Sequence, residues 1–359
     1  MVEAKSIETL SVTFTAGVIA GTGLSGAGPA LPCLLLILLI LPFVFYRRLV
    51  HMPPAGSAAV LAAAFLMLGI FCAWNAAQPG ISIHSIPESV AARAVEKLRS
   101  LISSIPFRAD GTAPLLRALL TGDRSGLSRE TTAVFRESGA SHILALSGLH
   151  IGIIYLIFDK LSQLIGHTGT ARGLRYAAIL TGAGFFTLMT GAGPSIVRAF
   201  LFIAIGETLR LTGRPRNSVR VLALALLIQL VLDPAAIRSL GFQLSYLAMA
   251  GIFLLFPILE KWYPEGSSRN PVRRIWDMAA LSISCQVFTA PLAWLRFHTF
   301  PVYFLITNLL AIPLTTLLMG ASVASIGLSA FGACPEFLIT TTDGLCRLLL
   351  FVLEVIASM

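Results

Sequence analysis

Charged residues are scarce in this sequence. Asp, Glu, Lys and Arg make up 12% of its 359 residues, about half of the roughly 25% found in an ordinary soluble domain. Hydrophobic residues make up 56%. This composition excludes a typical soluble domain. Uncharged apolar runs such as residues 55–74 have the length that a bilayer-spanning helix needs, so the sequence indicates an integral membrane protein.

Several motifs that carry catalytic or redox chemistry are also missing. The five cysteines stand singly, without the C-x-x-C spacing of a metal or redox site, and are interpreted as small core residues. No G-x-x-x-x-G-K-[ST] loop is present, which excludes a nucleotide-driven motor of that type within this sequence. No G-x-S-x-G motif of a serine hydrolase is present either. We therefore expect no cofactor and no enzyme activity.

Long apolar runs are what the sequence has in abundance. They are continuous rather than alternating, which is typical of membrane helices and not of barrel strands. The prediction is an all-α, polytopic transmembrane helix bundle with about 10 membrane segments, some of them broken or re-entrant. The predicted spans are residues 10–28, 31–46, 55–74, 141–158, 174–193, 195–212, 218–232, 238–260, 276–296, 301–330 and 338–358. The run at 301–330, which is rich in proline and glycine, is predicted to be broken.

Basic residues concentrate in a few loops, and these loops set the predicted orientation. They lie near residues 47–48, 160–175, 210–220 and 261–274. Because lysine and arginine accumulate on the cytoplasmic side of membrane proteins, these loops and the N-terminus are placed in the cytoplasm. The polar segment 75–140 then lies outside it. Within that segment, residues 87–104 predict an amphipathic helix that lies on the membrane or on the bundle.

Polar side chains continue into apolar sequence between residues 118 and 152, where Ser147 and His150 are the clearest case. Polar groups at membrane depth are costly and usually line a cavity or a pathway. A nucleophile–base pair of Ser147 and His150 lacks a nearby carboxylate, and a metal site from His142 and His150 lacks a third ligand. Two interpretations stay open. Ser147 and Gly148 allow close helix packing while His150 bonds across the bundle, or these residues line a pore.

Arg198 follows a G-A-G-P interruption at residues 191–194, within the first turn of a helix predicted to start at Ser195. An interrupted helix with an intramembrane charge is a common way to build a transport site. The amide end of the helix and the guanidinium would both favour an anion. In the alternative interpretation, Arg198 reaches the membrane interface or pairs with Glu207. Both interpretations stay open.

Two further stretches place polar side chains in apolar sequence. Gln243 and Tyr246 lie three residues apart in the span after Asp233-Pro234, so they face the same way, and Asn308 lies between two prolines. Hydrogen bonding between helices is the commoner explanation of such groups. The net charge of +9, carried mostly by arginine, suits a phosphate-bearing substrate better than a sugar or a cation.

Taken together, these stretches resemble the ComEC competence proteins, the inner-membrane channels that carry single-stranded DNA during natural transformation. The matching segments are LLTGDRSGLS (119–128), FRESGASHILALSGLHIGII (135–154), GAGPSIVRAFLF (191–202), LDPAAIRSLGFQLSYLAMAGI (232–252) and NLLAIPL (308–314). The string SHILALSGLH is specific, and its occurrence together with GFQLSY strengthens the resemblance.

The resemblance implies three regions. Residues 1–74 hold N-terminal transmembrane helices, residues 75–114 form a short external segment with the amphipathic helix, and residues 115–359 form the competence-type channel domain. The external segment is too short and too helical for the OB-fold of full-length members. The H-x-H-x-D-H signature of a metallo-β-lactamase-like domain is absent, so neither such a C-terminal domain nor a metal is expected.

The resemblance also implies a hydrophilic path for single-stranded DNA through the inner membrane. Its expected residues are Asp123, Arg124, His142, Ser147, His150, Arg198, Gln243, Tyr246 and Asn308. Arg124 and Arg198 would meet phosphates, while Phe135 and Tyr246 would offer surfaces for base stacking.

The expected partners are membrane lipid, a cytoplasmic helicase or translocase, a periplasmic DNA-binding competence protein, and a second copy in a homodimer. Two other functions compete with the DNA channel. One is a small-solute or lipid-linked transporter on the same scaffold, and the other is an intramembrane hydrolase that uses Ser147 and His150.

Overall fold

The fold is all-helical across the part of the chain that the computed structural model describes, which is residues 6–23, 54–77, 88–163, 169–263, 270–298 and 301–359. No strand occurs among these residues, and the all-α prediction is confirmed for them. The predicted span at 31–46 lies outside the described residues. The helices are α1 (Ser6–Thr22), α2 (Pro54–Ala76), α3 (Glu88–Ser104), α4 (Thr112–Thr121), α5 (Arg129–Glu137), α6 (Ser141–Leu144), α7 (Gly148–Ser162), α8 (Gly169–Met189), α9 (Pro194–Leu211), α10 (Ser218–Leu232), α11 (Leu240–Leu254), α12 (Phe256–Glu260), α13 (Pro271–Phe297), α14 (Phe304–Ala330) and α15 (Glu336–Ala357).

Some of these helices have the length and composition of membrane spans. Within the described residues, four segments are long and apolar enough to cross a bilayer: Ala58–Ala76, Leu240–Glu260, Pro271–Phe297 and Phe304–Ala330. Ile7–Thr22 and Ser218–Leu232 are apolar but shorter. The chain is therefore a membrane protein with several candidate crossings, and the larger number of about 10 segments stays a prediction.

Two predicted spans have a different local structure from the one expected. The run at 301–330 contains one continuous helix, α14, with Pro313 inside it, so the predicted break is wrong. A proline removes one backbone hydrogen bond, and membrane helices tolerate that loss. The predicted span at 141–158 is instead divided into α6 and α7, because Ser147 adopts an extended backbone and caps a new helix.

The chain forms two compact units, each built from separate stretches of sequence. The first comprises Met1–Ile86 and Ala204–Gln243. In it α1 packs against α2 through glycine, because a side chain at Gly17 would overlap the carbonyl of Leu66, and one at Gly69 that of Phe14. Ser11 Oγ donates to the carbonyl oxygen of Ala223 on α10 at 2.9 Å. Small residues therefore set the close helix contact in this unit.

The second unit comprises Pro87–Ile203 and Leu244–Met359 and holds the largest hydrophobic core. This core joins α4, α5, α14 and α15, with Leu115, Phe135, Leu318 and Leu349 fully buried in it. A smaller cluster around Ile151 joins α7 to α8 and α9. Both clusters meet the segment between α5 and α7, and this placement positions the polar residues described below.

Candidate functional site

Ser147 and His150 form the N-terminal cap of α7. The Ser147 side chain accepts a hydrogen bond from the backbone N–H of Leu149 at 3.3 Å. In return, Nδ1 of His150 accepts from the Ser147 backbone N–H at 3.2 Å and lies 3.1 Å from Ser147 Oγ. His150 is buried, and its Nε2 has no hydrogen-bond partner among the described residues. The serine and the imidazole are therefore in contact, in a helix-capping arrangement.

Arg198 is held at the start of α9, directly after a tight turn. Gly191 and Ala192 both have positive φ, at 80° and 49°, and Pro194 opens the helix, so the predicted helix start is confirmed to within one residue. The Arg198 side chain is buried, with 6% of the residue exposed. Its Nε donates to Ser245 Oγ on α11 at 2.7 Å, and Ser195 Oγ lies 2.9 Å from the same oxygen.

The remaining part of the guanidinium faces aromatic and backbone groups. Its central carbon lies 5.9 Å from the centre of the Tyr246 ring, within the range of a cation–π contact. A side chain added at Gly148 would begin 3.1 Å from Arg198 Nη2, so the guanidinium lies against the first residue of α7. No carboxylate in the described part of the chain forms an ion pair with Arg198, and Glu207 instead lies 3.4 Å from Arg210. Pairing of Arg198 with Glu207 is therefore wrong.

The loop between α4 and α5 holds a compact ionic cluster around Asp123. Arg117 Nη2 donates to Asp123 Oδ2 at 2.7 Å, and Arg99 Nε lies 3.4 Å from the same oxygen. The hydroxyl of Ser125 donates to Asp123 Oδ1 at 2.7 Å. Arg124 extends from the same loop, where it is exposed and donates to the carbonyl of Leu144 at 2.8 Å. The Asp123 side chain is only 11% exposed, whereas those of Arg99 and Arg117 are 31% and 32% exposed.

The turn between α5 and α6 joins the start of α14. Gly139 has φ 79°, and a side chain there would begin 2.8 Å from Pro301 Cβ. Thr307 Oγ1 donates to the carbonyl oxygen of Ser138 at 2.6 Å. Next to it, Asn308 has a buried Oδ1 without a partner among the described residues. His142 is exposed on this turn, with Nδ1 3.2 Å from the carbonyl of Gly139.

Most of the predicted path residues therefore lie along one run of contacts in the second compact unit. Gly122 packs against Leu146, next to the Ser147 cap, and Gly148 in turn packs against Arg198. Gln243 is not brought into this run: its amide donates to the carbonyl of Ile237 at 2.7 Å within the first unit. Phe135 is fully buried in the apolar core, so its predicted role as a base-stacking surface is wrong.

Three residues in this run were missing from the predicted set. Ser245 orients Arg198, and Arg99 and Arg117 hold Asp123. These contacts join residues on different helices or on either side of a loop, which helical periodicity does not predict. Within the described residues, no group of three or more His, Cys, Asp or Glu side chains has a metal-binding arrangement.

The sequence model of the competence protein family matches residues 119–359, which contain most of this run. The chain belongs to the competence protein family. Among curated members, ComE operon protein 3 of Bacillus subtilis is 24% identical over 263 residues, covering 72% of this chain and 32% of that protein. The Neisseria gonorrhoeae competence protein ComA is 28% identical over 174 residues, covering 47% of this chain and 25% of ComA.

Another relative has no assigned function. The uncharacterized Escherichia coli protein YcaI is 27% identical over 234 residues, covering 64% of this chain and 30% of YcaI. The match thus spans about a third or less of the length of each of these three relatives. No solved structure matches the chain.

Proposed function

We propose that this chain forms part of an inner-membrane channel that passes single-stranded DNA into the cytoplasm during natural transformation. The family match and the competence names of the relatives support a role in DNA uptake. The helices long and apolar enough to cross a bilayer support a place in the membrane. The lining of the path would include Asp123, Arg124, His142, Ser147, His150, Arg198, Tyr246 and Asn308.

The proposal rests on the burial of Arg198 without a carboxylate partner among the described residues. A buried cation without a carboxylate partner is costly unless another group compensates its charge. Ser245 orients the guanidinium through Nε, and neither Nη nitrogen forms a hydrogen bond within the described part of the chain. Arginine offers planar paired donors that match phosphate oxygens. A strand that presents one phosphate after another would therefore complete the Arg198 site.

Tyr246 adds a surface that suits nucleotides of any sequence. Its ring lies beside the Arg198 guanidinium, and aromatic rings next to cations provide base stacking and phosphate contact in proteins that bind single strands. Stacking and phosphate contact do not depend on the base, as a channel for DNA of any sequence requires. We propose Tyr246, rather than the buried Phe135, as the stacking residue of this site.

The channel would work with several partners. We propose that a cytoplasmic helicase or translocase pulls the strand and that a periplasmic DNA-binding competence protein delivers it. The N-terminus would lie in the cytoplasm, as the basic loops indicate. A homodimer is the proposed assembly, and lipid surrounds the exposed apolar faces of the membrane helices.

The test is DNA uptake in a deletion strain complemented with variants of Arg198. A charge-assisted hydrogen bond contributes about 1.5–3 kcal/mol, so Arg198→Ala is expected to reduce DNase-protected labelled DNA in the cytoplasm by at least about tenfold. Arg198→Lys keeps the charge but not the paired donors, and should restore part of the uptake. Ser245→Ala loosens the guanidinium and should give a smaller loss than Arg198→Ala.

The matched control is Arg214→Ala, which removes an exposed arginine from the loop after α9. Uptake in this variant should equal that of the wild type, with equal amounts of each protein in the membrane. Normal uptake in the deletion strain would overturn the proposed function. If the deletion strain instead lost transport of one solute or lipid-linked molecule, the transporter on the same scaffold would replace the DNA channel.

A further inference from the structure

Residues 108–140, the part of the polar segment used here, lie alongside α14, a helix that is long enough to cross the whole membrane. Helix α14 has 27 residues and contains one of the most apolar windows of the chain. At 1.5 Å per residue it is about 40 Å long, which exceeds the roughly 30 Å thickness of the hydrocarbon core. Its two ends therefore lie near opposite surfaces of the membrane.

One end of the polar segment is fixed to the beginning of α14. Thr307, in the first turn of α14, donates to the carbonyl of Ser138. Gly139 packs against Pro301, just before the helix starts. These contacts place the C-terminal end of α5 at the same membrane surface as the beginning of α14.

The other end of the polar segment is fixed near the end of α14. Arg108 pairs with Glu336, and the Arg108 backbone N–H donates to Asp343 Oδ2 at 2.7 Å. Thr112, the first residue of α4, donates to Asp343 Oδ1 at 2.6 Å. Glu336 and Asp343 belong to α15, which follows the turn after α14, and Ser325 near the end of α14 lies 3.2 Å from Thr342 of α15.

These two attachments are separated by about the thickness of the hydrocarbon core. The 18 residues from Thr307 to Ser325 correspond to about 27 Å along the helix. Between the attachments, Leu115, Leu119 and Phe135 share a buried core with Leu318 of α14. The segment from α4 to α5 thus runs beside α14 for most of its length.

We infer that α4, the loop at residues 122–128 and α5 together form one discontinuous membrane crossing, with the polar loop at its middle. Helix α3, whose Arg99 lies 3.4 Å from Asp123 of this loop, would be the companion crossing that returns the chain. Its exposed Arg93, Glu96 and Lys97 would then face water rather than lipid. This differs from the sequence-based expectation of an external segment. Because the inference adds two crossings, an even number, every basic loop stays on its predicted side of the membrane. The inference concerns topology and does not depend on the proposed DNA substrate.

The chemistry of the loop fits a position inside the membrane. Asp123, Arg117 and Arg99 neutralise part of one another's charge, as internal ionic groups require. Arg124 and Ser125 are exposed. The charged residues of α5 are exposed as well: Arg129, Glu130, Arg136 and Glu137. Within the membrane such side chains need water rather than lipid. Discontinuous helices with polar breaks near the midplane are how transporters bring backbone and charged groups to their substrate. The loop would therefore face a water-filled space.

The test is labelling of single cysteines with a membrane-impermeant maleimide, in right-side-out and inside-out membranes. Asp110→Cys and Ser141→Cys are the two reporters, both at exposed positions flanking the inferred crossing. Val302→Cys and the native Cys334 report the two ends of α14. The other cysteines are replaced by alanine. Asp110→Cys and Cys334 are expected to react from one side, and Ser141→Cys and Val302→Cys from the other.

Reaction of Asp110→Cys and Ser141→Cys from the same side would overturn the inference, as would reaction of Val302→Cys and Cys334 from the same side. Where the alanine background lowers the membrane level, a protease site inserted after Asp110 or after Ser141 gives the same readout with all native cysteines present. Because no DNA is involved, a failure here is distinguishable from a failure of the proposed channel function.

Discussion

At the scale of single residues, several polar groups in this protein form hydrogen bonds with one another at helix ends. Ser147 and His150 cap α7, while Ser195 and Ser245 share hydrogen bonds with the first turn of α9. Arg198 differs because it is a charged group and caps no helix, and only its Nε donates a hydrogen bond among the described residues. Helix caps stabilise a fold without requiring a ligand. Substitution of a cap residue should therefore lower stability, whereas substitution of Arg198 should lower DNA uptake.

Ser147→Ala is expected to lower stability through the cap rather than to abolish a chemical step. Loss of an N-cap side chain costs about 1 kcal/mol, so the thermal midpoint in detergent should fall by a few degrees. Ser147→Asn should restore most of it, because asparagine is an equally good N-cap and no nucleophile. DNA uptake should likewise be lower in Ser147→Ala than in the wild type and should recover in Ser147→Asn. Stability restored by Ser147→Asn without any recovery of uptake would favour the hydrolase alternative.

At the scale of helices, glycine determines how closely two elements approach. Gly17, Gly21 and Gly69 lie where α1 meets α2, and a side chain at Gly21 would begin 2.7 Å from the carbonyl of Ile70. The spacing of Gly17 and Gly21 is that of a G-x-x-x-G helix-packing motif. In this pair the backbones themselves are in contact, so the fit depends on the absence of side chains.

Gly17→Leu should disrupt this contact, whereas Ala20→Leu should not. A leucine at position 17 would overlap the backbone of Leu66, and overpacking of this kind costs about 1–3 kcal/mol or more. Ala20 lies on the exposed side of the same helix and serves as the matched control. The measurement is the amount of folded protein in membranes and its thermal midpoint in detergent. Equal values for both variants would contradict the close α1–α2 packing.

Two helix boundaries followed from local signals in the sequence. The end of α10 before Asp233-Pro234 was predicted from the proline. The start of α9 was predicted at Ser195 from the G-A-G-P interruption and lies one residue earlier, at Pro194. The continuity of α14 through Pro313 was missed because a proline in a membrane helix is tolerated by its surroundings. The contact of Arg198 with Ser245 joins residues 47 positions apart, and no local pattern carries that information.

At the scale of the whole molecule, tryptophans mark both ends of a membrane helix. Trp276 near the start of α13 donates to the carbonyl of Leu259, while Trp294 near its end is exposed. Eighteen residues separate them, or about 27 Å along a helix. Tryptophan favours the membrane–water interface, so this spacing fits a helix that crosses the full bilayer.

Fluorescence quenching by brominated lipids should show this depth pattern. Proteins that retain only Trp276 or only Trp294 should be quenched most strongly by bromine placed close to the headgroup. In a protein without other tryptophans, Leu281→Trp places the probe at an exposed position near the middle of α13. This probe should be quenched most strongly by bromine near the methyl end of the lipid acyl chains. Equal depths for all three probes would mean that α13 lies along the surface.

The buried guanidinium of Arg198 also has an energetic consequence. A bacterial membrane is negative inside, so each phosphate that enters does work against the potential, about 2.3 kcal/mol per charge for every 100 mV. A fixed positive charge in the path lowers the barrier that a phosphate meets halfway, but it cannot change the total work between the two sides. On the proposed path, Arg198 would set how fast a strand moves, whereas the direction of movement would depend on a motor in the cytoplasm.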